Sequence, residues 1–109
     1  MAEWVVEVVN ETVEAELMAL PKNMQARFLR ISELLRTFGP QQVGMPHVRP
    51  LGDKLWEMRL AGREGIGRAI YTAALGRRLV VLHAFVKKTQ KTPRHAIELA
   101  RRRVREIGS

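Results

Sequence analysis

The sequence predicts an α+β domain in which a helical hairpin and a C-terminal helix accompany a small sheet. Three observations predict it: a short β-branched run at the N-terminus, two segments with apolar residues at spacings of three and four, and three alternating runs between turn signals. At 109 residues and 12.5 kDa, with 46% hydrophobic residues, the chain suits a single domain over residues 1–109.

Trp4 to Val9 reads as the first strand. Asn10 then offers a side-chain cap to a helix with Glu11 and Glu14 in its first turn, where carboxylates meet the positive end of the dipole. Pro21 is expected in the first turn of a second helix, because its missing N–H costs nothing there. Met24, Phe28, Ile31, Leu35 and Phe38 form that helix's apolar stripe, and Gly39-Pro40 stops it. Residues 40–54, with three prolines and two glycines, read as a long irregular connection.

Leu55–Ala61, Ile66–Ala74 and Arg78–Lys87 read as three strands of a meander. If Arg63-Glu64 is the first two-residue turn, Arg59 lies directly opposite Arg68; if Leu75-Gly76 is the second, Arg68 faces His83. Trp56, Met58, Leu60, Gly67, Ala69, Tyr71, Val80, Leu82, Ala84 and Val86 would then share an apolar face. The other face would present Glu57, Arg59, Arg68, Ile70, Val81, His83, Phe85 and Lys87 outward, with Glu57 available to neutralise Arg59. Thr92-Pro93 opens the last helix, apolar at Ala96, Ile97, Ala100, Val104 and Ile107 and basic elsewhere.

The charge is uneven. Residues 1–48 carry four Lys and Arg against six Glu, whereas the remainder carries fifteen bases against five acids, for a total of +8. A polyanion is the natural partner for such a basic half, by composition alone. The absence of cysteine removes disulfides, thiolate nucleophiles and sulfur-ligated zinc, and fits a cytoplasmic setting. No apolar run approaches the roughly 18–20 residues that span a bilayer. His47 and His95 have no acidic or histidine neighbour at ligand spacing, so neither metal nor cofactor is expected.

Three blocks carry a family resemblance: Leu55-Trp56-Glu57-Met58-Arg59, Gly67-Arg68-Ala69-Ile70-Tyr71, and the run from Val80 to Pro93 that includes Phe85-Val86-Lys87-Lys88-Thr89-Gln90-Lys91-Thr92-Pro93. Together they resemble the phage-derived HigB-type branch of the RelE/ParE toxin superfamily. The resemblance implies a RelE-like β-α-α-β-β-β-α fold on a mostly antiparallel sheet. It also implies the toxin of a type II toxin–antitoxin module: a ribosome-dependent, metal-independent endoribonuclease (mRNA interferase) that inhibits translation, partnered by a helix-turn-helix antitoxin. By motif, Arg59, Arg68, Lys87 and Lys88 correspond to its catalytic cations, with His83 a further member. Two departures matter: Glu57 stands where RelE relatives have lysine, and Ile97 falls near their terminal-helix tyrosine.

The corresponding reaction is attack of a ribose 2′-hydroxyl on the adjacent phosphorus, giving a 2′,3′-cyclic phosphate and a 5′-hydroxyl. Arg59 and Arg68 suit the phosphorane charge, His83 a proton transfer, and Lys87 or Lys88 a phosphate clamp. Lys54, Arg77, Arg78, Lys91, Arg101, Arg102, Arg103 and Arg105 are expected to contact RNA or the ribosome. The alternatives are a non-catalytic ParE-like ligand of DNA gyrase and a small basic nucleic-acid binder.

Overall fold

A computed structural model describes residues 3–87 and 91–107. In chain order the elements are β1 (Val5–Val8), α1 (Glu11–Met18), α2 (Lys22–Phe38), β2 (Val48–Gly52), β3 (Leu55–Gly62), β4 (Gly65–Ala74), β5 (Arg78–Lys87) and α3 (Arg94–Arg103), then a 3-10 turn at Val104–Glu106. The strands form one sheet in the order β1-β5-β4-β3-β2. Only the β1–β5 pair is parallel among the described strands, so the architecture is α+β with a mostly antiparallel sheet.

Local chemistry sets most boundaries. The Asn10 side chain accepts the Val13 N–H at the start of α1, and its amide donates to Glu106, tying the cap to the C-terminal turn. Pro21 occupies the N-cap of α2, one place earlier than expected. Gly39 closes that helix at φ +84°, a backbone region open to glycine, with its N–H on the Leu35 carbonyl. The expected stripe holds at Met24, Ile31 and Leu35, whereas Phe38 at the end of the helix is 59% exposed.

The expected connection over residues 40–54 is partly a strand. Val48–Gly52 adds to the open edge of β3, pairing Arg49 with Glu57 and Pro50 with Trp56. Proline is tolerated there because an edge strand leaves half its backbone groups unpaired.

The β3–β4 hairpin has the expected register, with Arg59 opposite Arg68 and Gly62 opposite Gly65 around Arg63-Glu64. The β4–β5 hairpin does not. Its loop has three residues, Leu75-Gly76-Arg77, with Gly76 and Arg77 both at positive φ, and Ala74 pairs with Arg78. A bulge at Leu82 then shifts the ladder, so that Arg68 faces Phe85 and His83 faces Ile70.

The longer loop turns Val80 and Val81 over relative to the expected register, and the bulge returns Ala84 and the residues after it to their expected faces. Met58, Leu60, Ala69, Tyr71, Leu79, Val81 and Ala84 pack under Val13, Met24, Ile31 and Leu35 of the hairpin. Val80 and Leu82, expected on the same side as Trp56, instead pack with Leu55 and Ile70 beneath Ala96 and Ala100 of α3. Val81 has moved the opposite way, Val86 is 40% exposed and Val104 of the terminal stripe is 36% exposed. Both faces of the sheet are therefore covered, and the second is not the solvated charged surface that simple alternation suggested.

Candidate functional site

The charged residues of the meander gather in three places. Beneath the start of α3, Glu57 accepts from Arg68 Nη1 at 2.9 Å and from Arg49 Nε at 2.9 Å, and the Thr92 hydroxyl donates to its other oxygen. Arg49 and Arg68 also reach Thr92 Oγ1, at 3.3 and 3.2 Å. The pairing explains the cluster: Arg49 is directly opposite Glu57 across β2–β3, and Arg68 is its diagonal neighbour across β3–β4. Glu57 and Arg68 are both 0% exposed.

This corrects the expected outward face. Glu57 neutralises Arg68 and Arg49 rather than Arg59, and Arg68 is sealed from any macromolecule while α3 is seated. Such a pair in a low-dielectric interior holds its place only when each charge keeps its counter-ion and hydrogen bonds. Its evident task is to fix Thr92, and with it the entry to α3, against the sheet.

The second cluster joins α1, β5 and α3. One Glu16 oxygen meets His83 Nδ1 at 2.9 Å, the Ala84 N–H at 3.1 Å and Arg103 Nη1 at 3.1 Å, while Arg103 also donates to the Leu82 carbonyl. Burial works against ionisation of Glu16, but the bonds from His83, Ala84 and Arg103 outweigh it and hold its carboxyl below the ordinary value. The His83 ring stacks on Phe85, with centroids 4.8 Å apart. His83 thus sits with Glu16, not opposite Arg68.

The third place is open. A cleft of about 680 Å³ runs along α3, lined by Lys87, Lys91, Thr92, Pro93, Arg94, Ile97, Glu98, Arg101 and Leu51. Four cations face it against one carboxylate. Arg101 is anchored by Asp53 at 2.5 Å. Lys88, the remaining catalytic expectation after Lys87 in the sequence, lies outside the described residues. Arg59 borders a separate cleft of about 260 Å³ with Arg27, Pro46, His47, Ala61 and Ile66.

The other expected contacts disperse. Lys54 lies in the tight β2–β3 turn at φ +64°, its carbonyl accepting the Thr72 hydroxyl at 2.7 Å. Arg77 and Arg78 stand at the far end of β5 from Lys87, about 30 Å away at roughly 3.3 Å per strand residue. Arg78 pairs with Glu7 at 2.6 Å. Arg102 and Arg105 are exposed, whereas Arg103 is bound inward to Glu16.

Sequence reasoning missed Arg49, Thr92 and Glu16 as partners, and Arg94 as a groove residue. A threonine just before the proline that opens a basic helix was a usable signal for Thr92; Arg49 was hidden with its strand. Among the described residues no three His, Asp or Glu side chains gather closely enough to hold a metal ion. Nor is any described helix long and apolar enough to cross a membrane.

Comparison with solved structures finds the same fold in the crystal structure of the archaeal RelE–RelB complex from Pyrococcus horikoshii OT3. The match has a TM-score of 0.60 at 21% identity and covers 82% of this chain and 99% of that one. No curated protein matches the sequence. Residues 15–105, most of the chain and the whole of the Glu57 and Glu16 clusters and of both clefts, match the family of phage-derived Gp49-like proteins, and the chain belongs to that family.

Proposed function

We propose that this protein is the toxin of a toxin–antitoxin module and that it cuts messenger RNA during translation, holding the strand in the α3 cleft. The observation that carries this reading is the cleft itself: Lys87, Lys91, Arg94 and Arg101 face a common channel with Glu98 the sole lining carboxylate among the described residues. A solvated cluster of like charges is repulsive, and a phosphate backbone relieves that repulsion while releasing counter-ions. The RelE-like fold supports the same reading, since the archaeal relative is described in complex with RelB. An antitoxin is the corresponding partner here.

In the proposed reaction the 2′-hydroxyl gives its proton to water as its oxygen forms a bond to phosphorus, the bond from phosphorus to the 5′-oxygen breaks, and the leaving oxygen takes up a proton. Lys87, Lys91 and Arg94 offset the charge on the phosphoryl oxygens, which lets the chemistry proceed without a metal. Lys87 is also a proton donor for the departing oxygen, and Lys88 follows it in the sequence. Arg68 and His83, buried or half-buried against Glu57 and Glu16, act as positioning residues. The ribosome would supply most of the alignment, an effect able to contribute about 7–11 kcal/mol.

One observation favours a second reading. Arg68 is wholly enclosed, as befits a scaffold whose nuclease site has been dispensed with, and a ParE-like ligand of DNA gyrase fits that description. A ribosome-programmed cleavage assay separates the two. Wild type should cut translated mRNA, Lys87→Ala and Arg94→Ala should each cut about a hundredfold more slowly, in line with losing one charge-stabilising donor, and supercoiling should be untouched. An inert wild-type protein that blocks gyrase would overturn the first reading.

A further inference from the structure

The smaller cleft is a site in its own right. It is built from three separate parts of the chain: Arg27 on α2, His47 just before β2, and Arg59 on β3, with Pro46, Ala61 and Ile66 completing the wall. Among the described residues no carboxylate lines it. The backbone holds two of the three together, because the Arg59 N–H donates to the His47 carbonyl at 2.8 Å. His47 is itself pinned by its N–H on the Gly44 carbonyl at 3.0 Å. Arg59 and His47 are both half-buried, so their side chains are restrained before anything binds.

Its position relative to the α3 cleft is fixed by the sheet. Lys87, which lines the larger cleft, pairs with Ile66, and Ile66 pairs with Ala61; both apolar residues line the smaller one. Two strand spacings of about 4.8 Å therefore separate the Lys87 backbone from that of Ala61, and Arg59 lies two residues further along the same strand face. An uncharged patch, Ala61 and Ile66, forms the bridge.

We infer that Arg27, His47 and Arg59 form a second phosphate subsite, which receives the backbone of the same single-stranded RNA after it leaves the α3 cleft across the Ala61–Ile66 patch. The inference rests on the RNA reading above and extends it. Two guanidiniums recognise phosphate oxygens in forked geometry, and an imidazole adds a further N–H donor. The apolar patch suits the sugar and base faces between the two charged stations, as in other single-strand tracks.

Fluorescence-anisotropy titration of the purified protein tests it, using an RNA dinucleotide and a single strand of about eight nucleotides, a length within the usual range for such tracks, at several salt concentrations. Arg27→Ala and His47→Ala are the probes, with Lys91→Ala as the control for the α3 cleft. Arg27 is exposed on α2, so its variant keeps the fold. The expected result is a several-fold loss of affinity for the longer strand in both probe variants. Arg27→Ala should also lower the salt slope by about 0.7, the value for one phosphate contact on a single strand. Dinucleotide binding should be unchanged by the probes and weakened by Lys91→Ala.

If Lys91→Ala weakens both RNAs while the two probe variants bind the longer strand as wild type does, the subsite is refuted and the RNA reading stands. If no variant alters binding of either RNA, both fail. Inorganic phosphate distinguishes a strand subsite from a free-anion site: millimolar phosphate that shifts the His47 ring resonances with no competition from the longer RNA would refute the strand assignment.

Discussion

Glu57→Gln isolates the contribution of the enclosed carboxylate with almost no change in shape. Arg68, 0% exposed and 2.9 Å from Glu57, would be left with its charge in a low-dielectric interior and only neutral acceptors nearby. Breaking a buried pair at one end costs about 3–5 kcal/mol. A domain of this size has about 5–15 kcal/mol in total, so the variant would lose a large share of its stability. With roughly 4–8 °C per kcal/mol for a domain of about this length, the midpoint should fall by about 12–40 °C. The double variant Glu57→Leu with Arg68→Met removes both charges and fills similar volume; it should lie within about 2 kcal/mol of wild type, since apolar replacement of a whole pair is commonly neutral or better. Urea melts followed by circular dichroism read both values. A single variant that loses less than about 1 kcal/mol, or a double that loses as much as the single, would show that Glu57 is not neutralising an enclosed Arg68.

Stability should also depend on pH through Glu16. Its folded-state carboxyl lies below the ordinary 4.5, so the stabilisation is complete above that value and disappears as pH falls through the lower folded value. Glu16→Gln should therefore flatten the acid limb of a stability profile below pH 4.5, and a limb as steep as wild type would refute the assignment. Asn10→Ala removes the cap on Val13 N–H and the tie to Glu106, for a loss of about 1 kcal/mol; thermal melts check it, and an unchanged midpoint would count against the cap.

Much of the fold was legible because local signals agreed with the global arrangement. Asn10, Gly39, the Arg63-Glu64 turn and Thr92-Pro93 each act within a few residues, and each marks a real boundary. What was hidden is non-local. Val48–Gly52 has two interruptions, Pro50 and Gly52, that argue against a strand when read alone; only the unpaired edge of β3 makes it one. The Leu82 bulge inserts a residue without any compositional mark, and together with the three-residue loop it moved His83 two places, from opposite Arg68 to opposite Ile70. Of the expected site, Lys87, Lys91 and Arg101 share the α3 cleft and Arg59 borders its neighbour, whereas Arg68 and His83 were assigned to an outer surface that α3 in fact covers. Period-two alternation identifies which residues share a side of a strand. It does not say whether a helix later closes over that side.

The odd residue in β5 makes one ribbon serve two masters. Up to Leu82 its spacing answers to the apolar interior, and beyond it to the cationic end where Lys87 stands. Deleting Leu82 would restore a regular ladder and leave Val80 and Lys87 on the side of β4 they already share, opposite Thr72 and Ile66, so the loss would be confined to the leucine's own place beneath the terminal helix.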